Sequence, residues 1–511
     1  MSDIGTSLLG LGDKLAAHVL LSASAIALGI ALALPLAIWA SRSPPVARAT
    51  LAFASLVQTI PALALLALFF PILLSLRAVF GEGLPTLGFL PALLALALYA
   101  LLPILRNAVT AQANLDPGVI EAADGVGMSF WQRLRLVEAP LAAPYVMAGI
   151  RTAAVWTIGA ATLSTTIGQP SLGDPIFAGL QTQNWVLVLA GCIASAGLAL
   201  VADTLLGMIE KGLASRRRWL TFGGVGAVLL GILAALFVQF ADRDEDRVVI
   251  GAKQFSEQYI LARLIGQRLE AAGYAVAYRD GLGSAVAHRA VSSGAIDILV
   301  DYTGTIWTNQ MERGDNPDRD TMLREIVAWE ERTSGTHVLG RLGFENAYGL
   351  AMPRRATESG GFIGIGDLAA RSQAMTIGGD PEFFERPEWI AVRDAYGLRF
   401  ARQRNYSPTF MYNALQSGEA DVIGAYTSDG RIAADDLVVL ADPEAAFPNY
   451  DAIVLVAPET GKDARLMRVL EPLVGAIAVE AMREANLSVD RDENKLSFDE
   501  AARRLAARAG L

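Results

Sequence analysis

The sequence predicts an α-helical membrane bundle of about six spans followed by a two-lobed α/β domain. Leu- and Ala-rich runs dominate positions 1–246 of the 511 residues. Six of those runs are long enough to cross a hydrocarbon layer of roughly 30 Å. Beyond position 246 the charge becomes mixed, and short β-rich runs alternate with helical stretches, the rhythm of α/β lobes. A chain of this length is too large for one core and suits two or three domains.

The apolar runs lie near 16–40, 50–76, 87–105, 142–167, 185–209 and 219–240. Prolines interrupt several of them, at Pro35, Pro61, Pro71 and Pro91. In a bundle, neighbouring helices satisfy the carbonyls that such prolines free. The first run lacks the basic lead-in of a signal peptide and is long enough to span. Charge then sets direction. With the N-terminus outside, the inner loops hold Arg42, Arg48, Arg106, Arg133, Arg135, Lys211, Arg216, Arg217 and Arg218. The outer segments hold little beyond Lys14 and Arg77. The positive-inside rule therefore places the loop near 121–140 in the cytoplasm and everything after Phe240 outside. Arg216-Arg217-Arg218 reads as a topology anchor, with a lipid-binding patch as the alternative. Arg151 falls early in the fourth run, where it either snorkels to the cytoplasmic interface or pairs with a carboxylate inside the bundle.

After an acidic linker at 242–246, strands are expected at 247–253, 275–278 and 296–302, with helices at 257–272 and 285–293 between them. A second set of strands follows at 374–379, 421–426 and 437–441, and the chain returns at 452–456 before ending in helices. Parallel strands are expected throughout. Two crossings, near 345–355 and 445–452, make this a hinged clamshell that holds ligand between its lobes. The expected domains are 1–218 for the bundle, 219–246 for the last span and linker, and 247–511 outside. Lobe I then comprises about 247–347 with 452–511, and lobe II about 348–451.

Several function classes are excluded by the residues present. Net charge is −10, and the acidic second half has no basic run, which argues against nucleic acid. The single Cys192 permits no disulfide framework. His18, His288 and His337 are scattered without metal spacing, so no metal is expected. Gly281-Leu282-Gly283-Ser284 lacks the third glycine and the context of a dinucleotide site and reads as a tight turn opening a helix. No nucleophile–base or paired-carboxylate arrangement is present, so the chain is not expected to be an enzyme or to carry a cofactor.

The most informative segment is Glu121-Ala122-Ala123-Asp124-Gly125-Val126-Gly127, continued through Trp131, Arg133, Arg135 and Val137 to Pro140. It resembles the coupling loop of bacterial ABC-importer permeases: Glu-Ala-Ala, three residues, Gly, then a short helix ending near Leu-Pro. Glu121, Ala122, Ala123, Gly127 and Pro140 match, and Ala139 stands where Leu is usual. A small-residue helix closed by Gly makes a compact knob, and Pro140 is expected to stop the second helix. The plain alternative is an ordinary amphipathic hairpin. The resemblance implies a separate cytoplasmic ABC ATPase subunit, since no Gly-x4-Gly-Lys-Ser/Thr run occurs in this chain. It also implies two copies of this chain, one for each ATPase groove.

The second half carries a further resemblance. Gly251–Tyr259, Gly281–Ser284 and Asp301-Tyr302-Thr303-Gly304-Thr305 occur in order, followed by Phe344–Tyr348, Tyr426–Arg431 and Phe447–Asp451. They are similar to the extracellular binding proteins of osmoprotectant importers, which take glycine betaine, choline, carnitine and relatives. The resemblance implies a periplasmic-binding-protein-like fold of type II in a multi-pass protein of the bacterial inner membrane. Fused members exist, and some import the betaine ergothioneine. A quaternary ammonium has no donor hydrogen, so aromatic faces are its fitting partners, worth about 0.5–2 kcal/mol each when desolvated. Tyr302, Tyr348, Tyr426 and Tyr450 fall where this family places cage tyrosines; the alternative for each is packing with its hydroxyl in water. Gln258, Thr305 and Asn346 are candidate polar contacts. Arg431 could grip a carboxylate at two points, or else pair locally with Asp429. A membrane-tethered ligand sensor is the rival of another class, and it would need a cytoplasmic output domain.

Overall fold

The computed structural model describes every residue except 1, 82–83, 182–183, 242–246 and 492, so the expected acidic linker lies outside the described residues. The chain divides into two compact units. One comprises 1–176 with 186–243, and the other 177–185 with 244–511.

The first unit is helical. Among the described residues, five helical runs are long and apolar enough to span: Gly12–Ala40, Phe89–Ala113, Phe130–Ile167, Trp185–Ala214 and Arg218–Gln239. The expected single run at 50–76 is instead two helices, Pro44–Thr59 and Ala62–Phe80, bent by 103°. The cause is local. Ile60 precedes Pro61 and takes an extended backbone, φ −74° and ψ 125°, because a residue before proline is pushed out of the helical region. Counted as one broken span, the pair brings the total to six.

The second unit contains two five-stranded sheets. The first has strands β1 (Val248–Lys253), β2 (Val276–Leu282), β3 (Ile298–Tyr302) and β4 (His337–Glu345). The second has β5 (Tyr348–Pro353), β6 (Thr376–Gly379), β7 (Arg402–Asn405), β8 (Val422–Tyr426) and β9 (Leu437–Val439). Strand β10 (Asp451–Val456) returns to the first sheet, giving the orders β2-β1-β3-β10-β4 and β7-β6-β8-β5-β9. The sequence explains who sits where. β3 and β10 are buried at every residue and are central, whereas the charged β7 is exposed throughout and takes an edge.

The expectation of parallel strands holds only in part. β1 pairs parallel with β2 and β3, and β6 with β7 and β8. β10 runs antiparallel to β3 and β4, and β5 antiparallel to β8 and β9. The reversals arise because each crossing strand enters its new sheet from the hinge end. Strands β4, β5 and β7 went unread in the sequence, and the crossing after β4 is only Asn346-Ala347.

Candidate functional site

The loop between the third and fourth apolar runs builds from two short helices. Pro117–Gly125 starts on Asp116, whose carboxylate accepts from the Gly118 amide at 2.8 Å. It ends with Gly127 at φ +78°, while the Met128 amide reaches back to the Ala123 carbonyl at 3.2 Å, a Schellman closure. Arg133 then ties the two limbs, donating to Asp124 at 2.6 and 2.7 Å and to Glu138 at 2.8 Å. Glu121, Ala122, Gly127 and Pro140 are exposed and Ala123 is buried.

Pro140 does not stop the second helix, contrary to expectation. The chain passes from Phe130–Arg133 through a π-turn at Leu134–Glu138 into the helix Ala139–Ala161, with Pro140 in its first turn. The wider turn absorbs the amide that proline lacks. Val126 and Trp131 of the quoted segment, and Leu136, stand exposed on the same loop.

In the second unit the strand ends converge on a cleft of about 250 Å³ between the two sheets. All four expected tyrosines line it, with Thr305 and Asn346. Tyr302 ends β3, Tyr426 ends β8, Tyr348 opens β5 and Tyr450 immediately precedes β10. Tyr348 and Tyr426 are paired across the antiparallel β5–β8 ladder, which sets their rings 5.0 Å apart. Tyr450 meets Tyr348 edge-on at 5.8 Å. Gly304 makes room for it: a Cβ there would lie 2.6 Å from the Tyr450 ring. Phe255 completes the cluster, stacked 6.3 Å from Tyr426 and 6.2 Å from Tyr302.

The hydroxyls of these rings are held from behind. Tyr302 donates to the buried Glu257 carboxylate and accepts from Gln258 at 3.0 Å. Tyr426 donates to Asp380 at 2.8 Å, and Tyr450 donates to Glu388. Burial, reinforced by the adjacent carboxylates Glu257 and Glu388, pushes the Tyr302 and Tyr450 phenols well above the usual range, so both stay protonated donors. Burial also raises Glu257, which accepts from Asn346 and Asn486 at 3.1 Å each. The hydroxyl ends of the rings are therefore anchored.

Two expected contacts lie outside the cleft. Gln258 is turned to the back of Tyr302 and supports the ring rather than lining the cavity. Arg431 is withdrawn: its guanidinium grips Asp429, with Nη2 at 2.6 Å and Nε at 3.0 Å, and lies 4.0 Å over Tyr412. A carboxylate two residues away in the same turn outcompetes a distant ligand. The local pair is the alternative the structure contains.

The cleft has four charged or aromatic residues that the sequence reading missed: Lys253, Phe255, Asp380 and Arg386. Lys253 and Phe255 lie inside the quoted Gly251–Tyr259 motif, so a signal was present. Lys253 pairs with the buried Asp301, its ammonium 5.4 Å from the Tyr302 ring centre. Asp380 follows β6 and caps the next turn, accepting the Phe383 amide at 3.0 Å. Arg386 sits between two short helices, 3.5 Å from Glu388 and 5.3 Å from the Tyr348 ring centre. No pattern in the sequence marks it. The cleft thus combines aromatic faces and a carboxylate with a guanidinium, complementary charges for the two ends of a zwitterion.

Residues 246–507 match the family described as the substrate-binding domain of ABC-type glycine betaine transport systems. Residues 25–215 match the inner-membrane component of binding-protein-dependent transport systems. The chain belongs to these families. It is a permease fused to the substrate-binding domain of an ABC importer, and a multi-pass membrane protein. A relative spanning both halves is the ergothioneine transport permease/binding protein EgtU of Helicobacter pylori, 31% identical over 451 residues, covering 85% of this chain and 79% of the relative. The bundle alone is 39% identical over 198 residues to the Bacillus subtilis glycine betaine/carnitine/choline permease OpuCB, covering 39% of this chain and 86% of that one. It is 43% identical over 193 residues to a Listeria monocytogenes carnitine permease, covering 38% and 83%. The loop 121–140 and the cleft of this importer chain therefore lie in the two parts that the families match.

Proposed function

We propose that this chain imports a zwitterionic quaternary ammonium compound, glycine betaine or carnitine rather than choline. The observation that supports this most is the cleft itself. Phe255, Tyr302, Tyr348, Tyr426 and Tyr450 offer ring faces to a trimethylammonium group beside Asp380, while Arg386 answers a carboxylate. Because the rings come from both lobes, a cation among them would bridge the lobes, which links binding to closure.

The rest of the proposed cycle builds on this. The binding domain (247–511) faces the extracytoplasmic side of a bacterial inner membrane, and the bundle (1–218) carries the path. Two copies of the chain pair with two copies of a separate ATPase. Closure of that ATPase on ATP presses on the loop 121–140, where exposed Val126, Trp131 and Leu136 supply the apolar contact. The Arg133 bridges make the loop rigid enough to transmit the push.

Titration of residues 247–511 with glycine betaine, carnitine, choline, proline betaine and ergothioneine, followed by heat, tests the reading. Micromolar binding of the small betaines supports it, and silence across the panel removes the aromatic cage. Ergothioneine is the second reading, favoured by a relative that shares the fused architecture over 85% of this chain. Its trimethylammonium and carboxylate suit the same groups, and binding of ergothioneine alone would move the assignment.

A further inference from the structure

The helical unit holds ionisable side chains that neither the cleft nor the coupling loop uses. Arg151 lies roughly 18 Å along its helix from Ala139, at 1.5 Å per residue. Its Nε and Nη2 donate to Asp203 at 2.5 and 2.7 Å, and its Nη1 donates to Glu210 at 3.3 Å. Of the two sequence readings for Arg151, pairing inside the bundle is the one found. Asp203, Gly207 and Glu210 share one face of the helix Trp185–Ala214. The guanidinium lies across that face, since a Cβ on Gly207 would come 3.3 Å from the Arg151 Cζ.

The cluster is not sealed. The side chains of Arg151, Asp203 and Glu210 keep 37%, 34% and 30% of their exposure. They border a cavity of about 350 Å³ whose wall includes Thr152 and Trp156. Trp156 is 49% exposed.

Two physical points bear on this cavity. Ionised groups at such depth face water or protein, because facing lipid costs several kcal/mol each. And one guanidinium against two carboxylates leaves a surplus negative charge, carried by the more loosely held Glu210. A surplus carboxylate beside an exposed indole face is the complement of a quaternary ammonium. The same pairing of aromatic ring, carboxylate and guanidinium recurs in the outer cleft on unrelated residues.

We infer that this cavity is a second subsite, toward the cytoplasmic end of these helices, that takes the trimethylammonium group of the cargo on its way through the bundle. The inference rests on the quaternary-ammonium reading of the cargo. Trp156 supplies the ring face and Glu210 the counter-charge, while the Arg151–Asp203 pair fixes the two helices around them.

The test uses the full chain in nanodiscs made without choline lipids, with tetramethylammonium and glycine betaine as probes and saturation-transfer NMR on their methyl protons. Tyr426→Ala weakens the outer cleft. In that background saturable transfer persists, and adding Trp156→Leu or Glu210→Gln weakens it about five- to tenfold, as loss of one cation–π or charge contact should. Both additions leave the Arg151–Asp203 pair in place, so either one reads the subsite if the other fails to fold. Absence of saturable transfer in the Tyr426→Ala background overturns the inference, as does transfer that both additions leave unchanged. Weak binding at the subsite without tight binding in the wild-type chain would support it while removing the outer cleft as the cargo site. In discs that contain phosphatidylcholine the signal should survive; its loss there would assign the cavity to a lipid headgroup.

Discussion

Replacing Arg386 with Gln separates a carboxylate-reading cleft from a plain aromatic cage. Arg386 is 6% exposed, and its guanidinium carbon lies 5.3 Å from the Tyr348 ring centre. A hydrogen bond between such a group and a ligand carboxylate is worth about 1.5–3 kcal/mol. At about 1.4 kcal/mol per decade, the variant should bind glycine betaine roughly 10- to 150-fold more weakly. Choline carries no carboxylate and meets Arg386 only as a like charge, so its affinity should stay level or rise. Gln keeps two donors and much of the volume, and Tyr450 still donates to Glu388, so the cage behind it is preserved. Heat-detected titration of residues 247–511 with both ligands gives the ratio directly, and thermal unfolding checks that the variant is folded. A parallel loss for betaine and choline would refute the reasoning, because it would mean that Arg386 only supports the rings.

Tyr426→Phe keeps the ring and loses the hydroxyl's bonds to Asp380 and Tyr348, so betaine affinity should fall by less than Tyr426→Leu, which removes a cage face worth about 0.5–2 kcal/mol; titration of the two variants compares them. Gly304→Ala would put a Cβ 2.6 Å from the Tyr450 ring, and the overpacking, about 1–3 kcal/mol, should appear as lower thermal stability together with weaker ligand binding. Burial raises Asp490 from 3.8 to about 6, so the folded domain holds a proton that the unfolded chain has lost between those values. The stability this group contributes is full below pH 4 and fades as pH rises through 6; pH-dependent unfolding should show the slope, and Asp490→Asn should flatten it. Gly127→Val forces a β-branched residue to φ +78° and should cut ligand-stimulated ATP hydrolysis by the assembled importer while leaving ligand affinity unchanged.

How much of this was legible in the sequence depended on whether a feature is local. Spans and strands with continuous apolar runs, such as β3 and β10, announced themselves because burial on both faces leaves no other composition. The four tyrosines could be gathered because each stands at a strand end, and strand ends of facing lobes point toward the same gap. The break at Ile60-Pro61 was written in the sequence too, as a residue forced extended by its neighbour, yet hydropathy alone reads through it. Arg386 and Arg431 show the limit. Both are arginines near an acidic residue two positions away, and the same local pairing is open to each. Arg431 takes it in full, gripping Asp429 with two nitrogens. Glu388 accepts the Tyr450 hydroxyl and also lies 3.5 Å from Arg386, whose guanidinium lines the cleft. Arg386 thus shares Glu388 with a tyrosine distant in the chain, and no local pattern carries that.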